Sequence, residues 1–173
     1  MTNQALSKYI VSVPDFPHKG IEFFDITPLL TNPEAYRYTI EKMAELVAPT
    51  KPTKIMAAES RGFFFGPAIA LKLNLPFVPI RKKGKLPRET IDVEYDLEYG
   101  KDVLCVHRDD IDKTDRLVVL DDILATGGTA EAMCKMAERV GAEVACCAFF
   151  MELGFLNGRN RLKNKTVVSM FVK

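Results

Sequence analysis

The stretch VVLDDILATGGT, Val118 to Thr129, decides the fold. Leu117 to Leu120 form an unbroken apolar run that ends in two adjacent carboxylates, Asp121 and Asp122. A run apolar on both faces suits the interior of a parallel strand covered by helices on two sides. Past the aspartates, Thr126-Gly127-Gly128-Thr129 leads into a segment whose apolar residues, Ala130, Met133, Cys134, Ala137 and Val140, keep helical spacing. Gly141 is placed to end that helix. Strand, acids, glycines and helix, in that order, describe the carboxyl edge of an open α/β sheet, where such sheets bind ligands.

The chemistry of that edge follows from its side chains. A helix N-terminus offers unpaired N–H groups and a partial positive charge, glycines let the backbone approach an anion closely, and two threonines add hydroxyl donors. The segment therefore reads as a phosphate cradle. It is not a nucleotide P-loop, because no lysine follows the glycines in GxxxxGK spacing. The two aspartates would repel phosphate, so they face something else: a neutral vicinal diol, a cationic sugar transition state, or a hydrated Mg²⁺. Phosphate at the glycines and a diol at the acids together describe a ribose 5-phosphate group. The plain alternative is a glycine-rich turn beside two solvent-facing acids.

Outward from this block, strands and helices alternate. KIMAAE (Lys54 to Glu59) and PFVPI read as strands with a helix from Gly62 to Leu73 between them. DVLCVH, RLVVLD, AEVACCAFFM and TVVSMFV read as further strands, and a short helix falls near Asn157 to Leu162. Asn32 caps a helix with Pro33 in its first turn, running to about Val47. Ala5 to Val13 reads as a short helix, and FPHKGIEFFDITP as an extended arm with a turn at Lys19-Gly20. The fold class is α/β: an open, mostly parallel sheet flanked by helices.

Size and composition agree with that class. The 173 residues suit one domain, and 47% hydrophobic content is enough for a core without metal or disulfide staples. A formal net charge of +1 gives no global basic field directed at nucleic acid. FFFGPAIAL and VACCAFFM are far shorter than the ~18–20 residues of a membrane span, and the start lacks a secretory core, so a cytoplasmic protein is expected. Cys105, Cys134, Cys146 and Cys147 include no CxxC pair, and the histidines are only His18 and His107, so no zinc cage is visible. Cys146 and Cys147, within an apolar run, read as small buried hydrophobes.

Two further segments carry charge at strand ends. ESRG (Glu59 to Gly62) places Arg61 at a ligand-side edge, and IRKKGK (Ile80 to Lys85) brings Arg81, Lys82, Lys83 and Lys85. Such cations at a sheet's ligand edge can offset charge on an anionic group, although a basic run is usually a solvated face. From Gly84 to Gly100 the sequence has many charges and little apolar pattern, which suits a lid over a reactive centre. Near its end, in LEYG, Glu98 could donate a proton to a ring nitrogen of an incoming base, though Glu89, Asp92, Glu94 and Asp96 are equally acidic neighbours.

The DDxLATGGT block resembles the phosphoribosyl pyrophosphate motif of the type I phosphoribosyltransferases. With FPxxGIxFxDITP, ESRGFxFGPAIA, IRKxGKLP, YxLEYG and MELxxLxGR, nearly the whole chain is similar to the adenine-specific branch of that family. The resemblance implies a small N-terminal hood (residues 1–33), a flexible lid (about 82–101) and transfer of a 5-phosphoribosyl group to adenine, giving AMP and pyrophosphate. It also implies Mg²⁺, a homodimer, and no nucleic-acid or membrane partner. By the match, Asp121 and Asp122 contact the ribose hydroxyls, and Ala125, Thr126, Gly127, Gly128 and Thr129 hold the 5-phosphate. Glu59, Ser60, Arg61, Arg81, Lys82 and Lys85 fall at pyrophosphate positions, the first three on a loop that contains a cis non-proline peptide in the family. Glu98 corresponds to the catalytic acid/base and Tyr99 to its neighbour on the lid. Phe23 and Leu153 pack around the adenine, flanked by Glu22 and Phe24. Those two flanking residues depart from the pattern, replacing an apolar residue and an arginine, and leave Phe24 able to stack on a purine. The rival functions are transfer to guanine, hypoxanthine or orotate, or a nucleic-acid-binding regulator on the same fold.

Overall fold

The computed structural model describes residues 1–96 and 101–173. In chain order its regular elements begin with α1 (Asn3–Leu6), β1 (Val11–Pro14), β2 (Glu22–Asp25), α2 (Thr27–Leu30) and α3 (Pro33–Val47). There follow β3 (Lys54–Ala58), α4 (Gly66–Leu73), β4 (Phe77–Lys82), β5 (Thr90–Asp96) and β6 (Lys101–His107). The chain ends with β7 (Arg116–Leu124), α5 (Gly128–Val140), β8 (Glu143–Glu152) and β9 (Val167–Val172). The main sheet has the order β5-β6-β4-β3-β7-β8-β9. Strands β4, β3, β7, β8 and β9 run parallel, while β6 and β5 join antiparallel at one edge.

Period-two alternation sorts the strand residues between two cores. Ile55, Ala57, Val118, Leu120, Cys146, Ala148 and Phe150 face a cluster that holds α3 and α4. Their neighbours Met56, Ala58, Leu117, Val119, Cys147 and Phe149 face the cluster that holds α5. Being covered on both sides is why these strands read as continuous apolar runs. All four cysteines are buried, as small hydrophobes would be. Helix α3 starts where the sequence places it: the Asn32 side chain accepts the Ala35 N–H at 2.9 Å, with Pro33 opening the first turn.

Three readings are corrected. Ala5 to Val13 is not one helix: a helical turn and a 3-10 turn (Ser7–Tyr9) give way to β1, which pairs antiparallel with β2 from Val11↔Asp25 to Pro14↔Glu22. The alternating valines of VSVP favour the strand, and that hairpin makes the extended arm part of a two-stranded sheet. Residues 84–100 are not patternless, since Thr90–Asp96 is a strand with Ile91 and Val93 buried on one face. The helix expected from Gly62 begins as a 3-10 turn (Arg61–Phe64), and α4 proper starts at Gly66. There the backbone lies so close to the sheet that a Cβ would meet Phe77 at 2.7 Å and Ala57 at 2.9 Å. Among the described residues, no helix is long and apolar enough to cross a membrane.

Candidate active site

The carboxyl ends of β3, β4 and β7 converge on one edge of the sheet, and β7 runs three residues past Asp121, to Leu124, before the loop begins. Gly127 takes φ +86°, a left-handed conformation suited to glycine, and turns the chain into α5. Around it lies a small cavity of about 70 Å³, lined by Asp121, Ile123 to Ala130 and Phe149. All five residues expected to hold a phosphate, Ala125 to Thr129, line it. The first N–H groups of a helix lack partners within the helix, so α5 directs donors at this space.

The two aspartates sit just before the loop, in different surroundings. Asp122 is buried, and its Oδ2 lies 2.9 Å from Arg61 Nε. No hydrogen bond of good geometry reaches that oxygen. Asp121 accepts the Asp122 backbone N–H at 2.9 Å, and Gly62 approaches it so closely that a Cβ there would stand 3.1 Å from Asp121 Oδ1. Burial, and then the neighbouring Asp122 charge, push the Asp121 carboxyl well above the usual carboxylate range. Burial also raises Asp122, with Arg61 opposing it.

On the other side of the edge, the expected pyrophosphate residues do come together, but Arg61, Arg81 and Lys82 each already have a carboxylate. The Glu59–Ser60 peptide is cis. Glu59 accepts the Lys82 backbone N–H at 2.7 Å and pairs with Arg81 at 3.3 Å, contacts that hold its carboxyl below the ordinary range against the opposing pull of burial. Lys82 Nζ pairs with Asp102 at 2.9 Å, and Arg61 is held by Asp122. Lys85 contributes its backbone carbonyl to Arg81 Nη1 at 3.3 Å, leaving its side chain on the surface.

A larger cleft of about 630 Å³ adjoins the loop. It is lined by Gly20 to Phe24 of the hairpin arm, by Arg61, Ile123, Ala125 and Thr126, and by Leu153, Phe155 and Leu156 after β8. Glu22, Phe23, Phe24 and Leu153 all belong to it, as the sequence places them. Phe23 makes an edge-on contact with Phe16 at 5.2 Å, and the Arg61 guanidinium lies 5.1 Å from its ring centre. Phe24 is almost wholly buried, with Lys173 Nζ 5.5 Å from its ring centre, so it forms floor more than open stacking surface. Glu98 and Tyr99 lie outside the described residues.

The donor set suits a magnesium ion shared with a substrate. Among the described residues no cluster of three or more acidic, histidine or cysteine groups forms a protein cage. Asp121 and the under-bonded Oδ2 of Asp122 are hard oxygen donors beside the cradle. Mg²⁺ typically takes one or two carboxylates together with substrate phosphates and water.

Several site residues escaped the sequence reading. Asp102 holds Lys82, and Tyr95 stands opposite Asp102 across the β5–β6 pair. Recognition of the TIDVEY alternation would have brought in Tyr95, whereas no local pattern marks Asp102. Ile123, Phe155 and Leu156 line the cleft without a chemical signature, although Leu156 belongs to the MELxxLxGR motif.

Known proteins are similar over the same span. A model of the phosphoribosyl transferase domain matches residues 25–172. An adenine phosphoribosyltransferase of Carboxydothermus hydrogenoformans is 54% identical over 165 residues, covering 95% of this chain and 97% of that one. The crystal structure of adenine phosphoribosyltransferase from Thermoanaerobacter pseudethanolicus superposes with a TM-score of 0.97 at 44% identity, over 99% of this chain and all of that one. A Saccharomyces cerevisiae adenine phosphoribosyltransferase complexed with adenine and an imino-altritol bisphosphate superposes with a TM-score of 0.91 at 38% identity, covering 97% of each chain.

Proposed function

The chain belongs to the phosphoribosyl transferase family, and from that premise we propose how its residues divide the work. The reaction is transfer of a 5-phosphoribosyl group from phosphoribosyl pyrophosphate to adenine, giving AMP and pyrophosphate in purine salvage. One observation supports the assignment of roles above the rest: Ala125 and Thr126 line both the small cradle and the large cleft. A sugar phosphate seated on the loop thus has its anomeric carbon directed toward a space of aromatic and aliphatic walls, where a planar base fits.

In this reading Ala125 to Thr129 hold the 5-phosphate through backbone donors and threonine hydroxyls. Asp121 and Asp122 bind the ribose hydroxyls and favour the positive charge that grows on the anomeric carbon as its bond to pyrophosphate breaks. The pyrophosphate is received by the edge formed by Glu59, Ser60, Arg61, Arg81, Lys82 and Lys85. Because Arg61, Arg81 and Lys82 are paired with Asp122, Glu59 and Asp102, substrate binding exchanges carboxylate oxygens for phosphate oxygens on the same cations. Glu22, Phe23, Phe24 and Leu153 surround adenine, and Glu98 exchanges a proton with a ring nitrogen of the base. The segment about 82–101, which carries Tyr99 beside Glu98, closes over the reacting centre and keeps water from the activated ribose.

Mg²⁺ would be shared mainly with substrate oxygens and water, and Asp121 and Asp122 are the carboxylates of this chain that would face it. Such an ion would supply positive charge to offset that of the departing pyrophosphate. The chain acts as one catalytic domain with residues 1–33 as a hood, in a cytoplasmic homodimer. The test is product formation with adenine, guanine, hypoxanthine and orotate, each with phosphoribosyl pyrophosphate and Mg²⁺. Adenine is expected to be converted alone or by far the fastest, and conversion of guanine without adenine would overturn the base assignment.

A further inference from the structure

The turn that follows β8 makes unusually close contact with the phosphate loop, and the two meet backbone to backbone. A Cβ on Gly158 would stand 2.2 Å from the Ala125 carbonyl oxygen, and a Cβ on Gly127 would stand 2.6 Å from the Gly158 carbonyl oxygen. Both distances lie far inside van der Waals contact. Gly127 also needs glycine for its positive φ, whereas Gly158 shows no positive φ. Glycine at 158 is therefore required by space alone: it lets one backbone lie directly against another.

That contact is held from both sides. Arg159 grips the buried Glu152 with two hydrogen bonds, Nε to Oε1 at 2.6 Å and Nη2 to Oε2 at 2.7 Å. Ser169 donates to the same carboxylate at 3.0 Å, which ties it to β9. The Arg159 hydrogen bonds are the main cause that holds the Glu152 carboxyl below its ordinary range. Two residues on, Arg161 reaches Glu131 in the first turn of α5 at 3.1 Å. The turn is thus pinned to the sheet by one arginine and to the phosphate-binding helix by the other. None of these side chains lines the cradle.

We propose that Gly158 and the Arg159–Glu152 pair form a positioning unit that sets the shape of the phosphate loop. Gly158 backs the loop from behind, and the two-toothed arginine fixes where Gly158 sits. Backbone donors hold an anion well only when several converge on one point, so a shift of a few tenths of an ångström in the backing weakens them together. The inference rests on the reading of Ala125 to Thr129 as the 5-phosphate site.

The experiment measures ribose 5-phosphate and AMP binding by calorimetry, KM for both substrates, and melting temperature, in the wild type, G158A and R159K. Loss of one or more charge-assisted hydrogen bonds predicts ribose 5-phosphate binding about ten-fold or more weaker in G158A, with KM for phosphoribosyl pyrophosphate rising in step. KM for adenine moves less than about threefold, because the base walls at Glu22 to Phe24 belong to the hairpin and keep their own contacts. R159K keeps the charge but loses the planar fork, and should shift the same constants by about threefold. A G158A protein with wild-type affinity for ribose 5-phosphate would overturn the proposal, and so would one in which KM for adenine rises as much. If G158A does not fold, R159K decides by the same comparison. A wild type that binds neither ribose 5-phosphate nor AMP would overturn the phosphate-site reading itself, a result distinct from either.

Discussion

The loop from Ala125 to Thr129 and the edge formed by Glu59 to Arg61 with Arg81 to Lys85 stand at two ends of one site, and they are built on different physics. The first offers backbone N–H groups fixed by a helix start, a left-handed glycine and a close backing turn. Ala125 to Thr129 carry no charged side chain, so no counter-charge has to be displaced before an anion enters. The second offers side-chain cations that are already neutralised: Arg61 by Asp122, Arg81 by Glu59, Lys82 by Asp102. One end is preorganised and the other must trade partners. The difference separates the tasks of a transferase: the 5-phosphate stays attached throughout, whereas pyrophosphate must be held and then let go.

The harshest way to break the preorganised end is Gly127→Val. Valine at φ +86° costs about 1–3 kcal/mol of backbone strain, and its Cβ would meet the Gly158 carbonyl oxygen at 2.6 Å. The loop must move, and phosphoribosyl pyrophosphate affinity should fall by about a hundredfold or more. Isothermal titration with ribose 5-phosphate checks this, and normal binding would place the cradle elsewhere. Next in size is Glu98→Gln, whose proposed part is proton exchange with the base. It should lower kcat by about a hundredfold or more while leaving KM for phosphoribosyl pyrophosphate within about threefold. Turnover equal to the wild type would remove Glu98 from the mechanism.

The same contrast explains what was legible in the sequence. Gly127, Gly128 and the helix behind them announce themselves because backbone geometry restricts residue type. The strand-end acids are read for a similar reason, as carboxylates terminating an apolar run. The pairing of Lys82 with Asp102 was not legible, because it depends on β6 lying antiparallel beside β4, a register that no local pattern dictates. Gly158 was legible only as a letter of the MELxxLxGR motif, since it serves close packing and has no positive φ of its own. Strand β5 is the opposite case. Ile91, Val93 and Tyr95 alternate with polar residues, so the information was present but masked by the density of charge around it. The β1 strand was hidden by its neighbours, because the helical turn that ends at Tyr9 is separated from it by one residue.

The two ends should also respond to pH with opposite sign. Glu59 has a lowered pKa in the fold, so its contribution to stability is present above the ordinary glutamate pKa and is lost as pH falls through the folded value. Asp121 has a raised pKa, so its ionised form is a burden at neutral pH that is relieved as pH falls through that raised value. Asp121→Asn should therefore raise Tm at pH 7 and lose that advantage in acid, although its catalysis falls. A gain of about 1 kcal/mol corresponds to roughly 2–4 °C for a chain of this size. Glu59→Gln should lower Tm at pH 7 and converge on the wild type in acid. Thermal melts of the three proteins across pH 4–8 check both slopes, and parallel slopes would deny the contrast.

The smallest expected effect is the most direct probe of partner exchange. Asp102 holds Lys82 at 2.9 Å, and each raises the cost of neutralising the other: the Lys82 pKa is moved up and the Asp102 pKa down, each chiefly by their shared hydrogen bond. Lys82 is more than half exposed, so the pair is worth no more than about 1 kcal/mol. Asp102→Asn removes the competing carboxylate without adding bulk, and so releases the lysine to bind phosphate oxygens. Pyrophosphate should bind about twofold to fivefold more tightly, and its product inhibition should deepen by the same factor. Ribose 5-phosphate, held at the other end, should bind as it does to the wild type. If pyrophosphate affinity instead fell, Asp102 would be a positioning partner that steers Lys82 toward the substrate, and the competition drawn between carboxylate and phosphate at this edge would be wrong.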